Sequence, residues 1–503
     1  MNGKGQQLIY FTPFIIIGVT FCLIFFTNAE SIGQLDLLFE TAESISIPPK
    51  NSLIISTSIV TDRKNNLVAY VSHADKGMQV SVNNWTSPVY DSIGKDSFVF
   101  SPKRNRFGFS AIREGKMVAV IDGRESDWFD AVGEIVFSPD GSSVAYHVKK
   151  DKAHYIIHNN RAGKPYDGIF NVTGLIYSPD SRSLAYVALQ NRKMVLVING
   201  KELEASVAIQ EVIFSANSKQ LAYITKIGRA YHVIRNGKKS EAYDKAVNLV
   251  FSPDSRNLAY IAMQQGNWFV MNNAQKYPSG GMAAMPTFSP DSMRFAYALN
   301  RAGIWSVFVD NQEGISFDRP GTFLFSPDSK RFAYTVLKGR DWHMVSNQGR
   351  GPAFDKITFF AFSNDGSRLA YRAYRDKKWF IITDEDVSKP YDWVELPVFS
   401  NDSEHIAFGA RDGEKAFVVT DTRERKAFQN IGSPVFSPDS RHLIYPAKQD
   451  DKWFYMFNEK PYYKYYDGFL KDAPFIFDSD NGFHGIAFRL PGPEFFRVVV
   501  EIL

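Results

Sequence analysis

One short motif recurs along this chain and constrains its fold more than any other feature. Phe-Ser-Pro-Asp or Tyr-Ser-Pro-Asp begins at Phe137, Tyr177, Phe251, Phe288, Phe325 and Phe436, and Phe-Ser-Asn-Asp begins at Phe362 and Phe399. Weaker copies start at Phe100, Phe214 and Phe477, and from Tyr177 to Phe436 every step is 37 residues. A short apolar run follows each copy and ends on an aromatic: Tyr70, Phe109, Tyr146, Tyr186, Tyr223, Tyr260, Tyr297, Tyr334, Tyr371, Phe408, Tyr445 and Phe488. That makes twelve copies. A fixed period of this length means that each unit is one supersecondary element that buries its apolar faces only against its neighbours.

The unit beginning at Phe251 shows the construction. Phe251-Ser-Pro-Asp-Ser255 is a type I turn in sequence form, with Ser first, Pro253 presetting φ and Asp254 third. Leu258-Ala-Tyr-Ile-Ala262 is apolar at every position, as a strand covered on both faces must be. Gln264-Gln-Gly266 turns the chain, Trp268-Phe-Val-Met271 is a second strand, and Asn272-Asn273 turns it again before a further strand leads to Phe288. With the strand before each Phe-Ser, one repeat holds about four short strands, and the 15% aromatic content suits them. Two further series keep the phase. Trp268, Trp305, Trp342 and Trp379 are 37 apart, with Trp453 two periods on. An aromatic-Asp pair recurs at Tyr90, Phe129, Tyr166, Tyr243, Phe317, Phe354, Tyr391 and Tyr466. Four-stranded units repeated about an axis form a β-propeller. A solenoid fits 37 residues with several hairpin turns less well.

Phe-Ser-Pro-Asp-Ser-x-x-Leu-Ala-Tyr, with the downstream Trp-Phe-Val-Met and Tyr-Asp elements, resembles the WD40-like repeat of TolB-type propellers. The same blade type occurs in the propeller domains of prolyl-oligopeptidase-class peptidases. The resemblance spans about residues 51–490 and implies an all-β propeller fold, while saying almost nothing about activity. Because propellers usually have four to eight blades, twelve repeats lead to an expectation of two six-bladed propellers in tandem, residues 51–278 and 279–503. The crossover would fall near 272–286, where NNAQKYPSGGMAAMPT lacks the aromatic-Asp pair. A single large ring and a seven-plus-five division stay open. The stretch 51–60 is expected to close one ring.

Lys4, an apolar run from Leu8 to Phe26 and the small residues Thr27-Asn28-Ala29 have the layout of a secretory signal, with cleavage after Ala29. The alternative is an uncleaved anchor, because 19 apolar residues can just span a bilayer. Residues 1–29 are therefore a signal peptide or membrane anchor and 30–50 a linker. Either way the body is expected in an extracytoplasmic compartment, the periplasm or its equivalent, with membrane contact only through the N-terminal segment. Cys22 is the sole cysteine, so the rest of the chain holds no disulfide, thiolate or Cys-x-x-Cys metal site. A net charge of +4 gives no footprint for nucleic acid.

No G-x-S-x-G, H-E-x-x-H, Walker or dinucleotide fingerprint is present. Only 15 residues follow Phe488, so the α/β-hydrolase domain of the peptidases is not expected here. The repeated Asp140, Asp180, Asp254, Asp291, Asp328, Asp365, Asp402 and Asp439 are read as turn residues, since equivalent positions of successive blades cannot converge on one substrate. The aromatic-Asp pairs are read as packing rings with a turn-capping carboxylate, and the Trp series as inter-blade core. His154 and His158 on one strand stand about 13 Å apart, too far to share a metal. Asp478-Ser-Asp-Asn-Gly482 lacks the acidic twelfth position of an EF-hand and is read as a degenerate turn. No catalytic, cofactor or metal residues are assigned. The expectation is a non-catalytic interaction or scaffold protein that binds protein partners through its faces, the least repetitive stretches 191–208, 278–285 and 462–469 being the candidates. The alternative is an enzyme or small-ligand binder using a central channel.

Overall fold

The computed structural model describes residues 38–503, apart from 47–52, 56–57, 63, 65, 96, 171–173, 279–280, 385, 471–474, 491–493 and 503. The expected signal or anchor, 1–29, lies outside the described residues. Among the described residues no helix is long and apolar enough to cross a membrane.

Each repeat folds into one small antiparallel sheet, and the described residues form twelve of them. Blade 6 is representative, with strands Lys245–Phe251, Leu258–Gln264, Asn267–Asn272 and Gln275–Pro278 in sequential order. Its first turn is built by Ser252, whose Oγ donates to Asp254 Oδ1 at 2.6 Å and accepts the Asn257 N–H at 2.9 Å. Asp254 Oδ1 also caps the Arg256 N–H at 3.0 Å, and Ser255 closes the turn in the left-handed region at φ 67°. Gln265 and Gly266, at φ 52° and 76°, form the two-residue hairpin that matches strand twist. The third turn is fastened by Asn273 Oδ1, which accepts the Leu258 N–H at 3.0 Å. The same 15-residue cap recurs with Asn or Asp in other blades, including Asn159, Asp310 and Asn458.

The core lies between blades. Ile224 and Val233 of blade 5 pack against Leu258, Tyr260 and Phe269 of blade 6. The interface repeats between each neighbouring pair, and it continues where two separate rings would have parted. Ile261 and Val270 of blade 6 meet Phe295, Tyr297 and Phe308 of blade 7 (residues 283–317) in an ordinary apolar layer. The last blade (468–502) then packs on the first (53–86) through Ile486 and Phe495 against Val68 and Tyr70. The architecture is one closed twelve-bladed propeller, not tandem six-bladed rings over 51–278 and 279–503. The missing aromatic-Asp pair is no boundary because Tyr277 takes the aromatic's place, its ring 4.8 Å from that of Tyr297.

Two expectations about the N-terminal region are corrected. Leu38–Ser46, inside the stretch read as linker, is a strand, and it closes the ring by pairing antiparallel with Glu494–Ile502, from Leu38 opposite Ile502 to Ser46 opposite Phe495. The 51–60 stretch does not reach a distant blade: Leu53–Ile54 and Val60–Thr61 pair with their own neighbour, Val68–Ala74. The closing strand is held on both sides. Buried Glu40 accepts the hydroxyls of Tyr466 at 2.6 Å and Tyr455 at 3.1 Å and pairs with Lys464 at 3.0 Å, all on blade 11 (residues 430–466). Ser46 Oγ lies 3.0 Å from Tyr70 Oη and donates to the Asn83 carbonyl at 2.7 Å, both on blade 1.

The first strand of each blade is innermost, since the first strands of blades 5, 6, 7 and 8 come within 8 Å of one another in succession. With twelve such strands spaced about 8–10 Å apart, as in stacked sheets, the ring encloses a channel about 30 Å across.

Replacing Glu40 by Ala strands two buried tyrosine hydroxyls and is expected to cost about 2–3 kcal/mol. Glu40→Gln, which keeps an acceptor, is expected to cost less. Chemical denaturation of the three proteins measures this, and equal stability of Glu40→Ala and wild type would refute the role of the contact in closure.

Candidate functional site

The repeated aspartates line one face of the ring, each engaged by its own turn. Hydroxyl and backbone donors hold them below the usual carboxylate range. The shift is largest at Asp140 and Asp365, where the hydroxyl of Ser138 or Ser363 is the first cause and Ser142 or Ser367 adds N–H and O–H donors. The turns are also linked from blade to blade. The N–H of Asp254 donates to Ser292 Oγ of the next turn at 2.9 Å, and the pattern repeats from Asp140 to Ser181, Asp291 to Ser329, Asp365 to Ser403 and Asp402 to Ser440. This series of bonds uses the Ser-Pro-Asp signature structurally and brings no two aspartates onto one reactant.

The aromatic-Asp pairs also join blades. Tyr243 and Phe354 bridge to the third strand of their own blades, and the following Asp reaches the next blade. There Asp318, Asp392 and Asp467 accept hairpin N–H groups of Gly339, Gly413 and Leu490 at 2.6–2.7 Å. The carboxylate therefore caps a neighbour's turn rather than its own. The Trp series is half-buried in the inter-blade layers, and cations cover several members: Arg372 lies 4.8 Å from the Trp379 ring and Arg319 5.5 Å from that of Trp342.

His154 is not joined to His158. Its Nδ1 lies 2.8 Å from Nε2 of His147 on the adjacent strand. Burial, and then the neighbouring ring, lowers the His147 pKa to about 4. Asp478, in the calcium-like stretch, accepts from Nδ1 of buried His484 at 2.7 Å, while Nε2 of that ring meets the Lys64 carbonyl across the closure seam. Among the described residues no group of three or more acidic, His or Cys side chains could hold a metal. In the Tyr-rich stretch 462–469, Tyr462 stacks on Tyr455 at 4.9 Å, Tyr466 is buried and Tyr465 is exposed.

The sequence reading missed an arginine series that crosses between blades. Arg294 donates from Nε to Asp310 at 2.8 Å and from Nη1 to the carbonyls of Ser329 and Lys330 at 3.2 and 2.8 Å, and its guanidinium lies 5.4 Å from the Phe325 ring. Arg106, Arg331 and Arg368 make the same crossing. Arginine stands at this position in blades 2, 7, 8 and 9; Ser143, Ser183, Gln220 and Asn257 take it in blades 3–6, and His405 and His442 in blades 10 (393–424) and 11 (430–466). At His405 a cleft of about 270 Å³ opens between blades 10 and 11, lined by His405, Asp421, Arg425, Phe436, His442 and Glu459 among others. The signal was present as Arg294, Arg331, Arg368, His405 and His442 at 37-residue steps.

Fold and closure together define an all-β, twelve-bladed propeller with distant structural likeness to TolB and WD40-type propellers. No protein-family model and no curated protein sequence matches the chain. Among solved structures it is similar to a eukaryotic initiation factor (14% identity, 63% of this chain and 92% of that one, TM-score 0.37). It is also similar to the Dos1 propeller (12% identity, 56% and 88%, TM-score 0.30). TolB from Acinetobacter baumannii is a third (13% identity, 51% and 79%, TM-score 0.24).

Two outcomes follow from the turn geometry. Ser329→Ala, which removes the acceptor for Asp291 and leaves a side chain at φ 64°, is expected to destabilise by about 1–2 kcal/mol. Ser329→Gly should cost less, because glycine relieves the backbone, as Gly141 and Gly366 do at the same position. For pH, the folded-state carboxyl pKa values are depressed, so their contribution is present above the unfolded value of about 4 and is lost as pH falls through and below it. The melting temperature should hold level from pH 8 to about 5 and drop below about 4, less steeply in Asp254→Asn. Thermal melts across that range measure it, and an equal slope in the variant would contradict the assignment.

Proposed function

We propose that this protein is a non-catalytic interaction or scaffold protein working outside the cytoplasm, with a protein partner held by the ring. One observation carries the reading. Exposed apolar side chains collect on or beside the innermost strands of blades 7, 8 and 10: Met282, Met285, Leu324, Trp393 and Leu396. Exposed apolar side chains of this kind are suited to contact with a partner. Met suits a surface that adapts to its partner, and a helix about 10–12 Å wide fits within a channel about 30 Å across with room to spare. The apolar stretch near the start of the chain supports an extracytoplasmic location.

The test is isolation of the tagged protein under mild conditions from its own organism, with identification of co-purifying proteins against an untagged control. A stoichiometric protein partner is expected. The triple variant Met285→Glu, Leu324→Glu and Leu396→Glu should lose that partner at least tenfold while keeping its melting temperature within a few degrees. Retention of the partner by a folded triple variant would sink the channel-wall assignment.

A further inference from the structure

At Arg294 of blade 7 the arginine before the second strand is held by four elements: a carboxylate, two carbonyls of the next blade's first turn, and the phenylalanine before that turn; Arg106 of blade 2 (92–125) repeats all four, with Asp122 at 2.8 Å, the carbonyls of Gly141 and Ser142 at 3.1 and 2.9 Å, and the Phe137 ring at 5.0 Å. Arg368 of blade 9 (356–383) makes the carbonyl and ring contacts alone, donating to the carbonyls of Ser403 and Glu404 at 3.2 and 2.6 Å with its guanidinium 5.5 Å from the Phe399 ring. Arg331 pairs with Asp384 through both terminal nitrogens, at 2.7 and 2.8 Å, and lies 5.2 Å from the Phe362 ring.

Between blades 10 and 11 the receptor elements persist and the guanidinium does not. Asp421 replaces Asp310, Phe436 replaces Phe325, and the turn at Ser440 and Arg441 replaces that at Ser329 and Lys330, all around the cleft of about 270 Å³. His405 is shorter than arginine. It approaches Asp421 Oδ2 at 3.1 Å and stops there. Arg425 does not substitute for the missing group. It stands where blades 7 and 8 carry Gly314 and Gly351, and it is engaged by Glu459 and by Thr420 Oγ1 at 3.2 Å. Blade 7 has the reverse arrangement, with Arg294 in place and a space of about 280 Å³ open beside Gly314. Blade 10 has filled the outer part of the cleft and emptied the turn end.

We propose that the cleft between blades 10 and 11 binds a guanidinium group supplied by another molecule, either a free guanidino compound or an arginine side chain of a partner. Such a ligand repeats in trans the contacts that the fold makes in cis at Arg106 and Arg294. The planar fork suits a carboxylate beside paired carbonyls, and its face suits the Phe436 ring, so guanidinium is favoured over ammonium. The arginines at the rim are held by other carboxylates: Arg423 and Arg425 share Glu459, and Arg441 faces its own Asp439 at 3.7 Å. The site lies on the turn face, apart from the apolar channel wall, and does not depend on the partner proposed for that wall.

The experiment titrates the purified full chain by calorimetry with agmatine and with N-acetyl-argininamide, against 1,4-diaminobutane and N-acetyl-lysinamide as ammonium counterparts. Saturable binding at one site per chain, at least tenfold tighter for the guanidinium probes, is expected. Agmatine binding tighter than the blocked arginine indicates a small-molecule ligand, and the reverse indicates a partner's side chain. His405→Arg, which places the guanidinium in cis, should abolish binding and raise the melting temperature. Asp421→Asn keeps the backbone cap, as Asn273 and Asn458 do in their blades, and should weaken binding at least tenfold without loss of fold. Absence of saturable binding by either guanidinium probe, unchanged binding in His405→Arg, or unchanged binding in Asp421→Asn would each overturn the proposal. The channel triple variant should bind as wild type.

Discussion

Everything in this molecule depends on apolar faces that no blade can cover alone. The second strand of blade 6 is buried along five consecutive residues, from Leu258 to Ala262, and its cover comes from blade 5 on one side and blade 7 on the other. A linear stack of such sheets would leave two large apolar faces in water, at a cost of about 25 cal/mol for each Å². Closure removes both ends at once. With twelve blades the turn between neighbours is about 30°, half that of a six-bladed ring, so neighbouring sheets pack nearly face to face. A large ring therefore places little demand on the individual interface, and the wider wedge of a smaller propeller is not needed.

The polar chemistry of the repeat serves the same end. Serine hydroxyls link Asp turns around one face, carboxylates of the aromatic-Asp pairs cap the next blade's hairpins, and arginines cross to the next turn. Each link satisfies backbone groups at strand ends that would otherwise meet solvent unpaired. The innermost strands leave their channel-side edges unpaired. Register shifts such as those at Val247/Val250 and Ala284/Thr287, with left-handed residues at Asn248 and Met285, bend these edges and so discourage pairing with a foreign strand.

Blade composition was legible in the sequence because turn chemistry is local: Ser-Pro-Asp, the tight turns at Gln264-Gln-Gly266 and Asn272-Asn273, and short apolar runs act within a few residues of themselves. Ring number was not, since it depends on whether one interface resembles the rest. The unbroken 37-residue phase through 272–287 carried that information, against the habit of smaller propellers, and Tyr277 supplied the ring that seemed to be missing. The closing strand was hidden because LFETAESIS mixes strand and helix formers and takes its conformation from a partner at the far end of the chain. The candidate cleft was hidden for a different reason. An Arg-to-His change in a periodic column looks like drift until the donors and acceptors around it are known.

The pairing of Leu38 with Ile502 also orders events during synthesis. Their separation is 502 − 38 = 464 residues. At translation rates of 5–20 residues per second the first strand waits about half a minute to a minute and a half for its partner. Through that interval the nascent chain is an open arc, with the exposed face of blade 1 and each newly finished blade at its ends. Its growth is sequential and its completion is a single late step. Any strand able to imitate Leu38–Ser46 could compete for the edge of Glu494–Ile502, so assembly of this fold is open to error chiefly at its last moment.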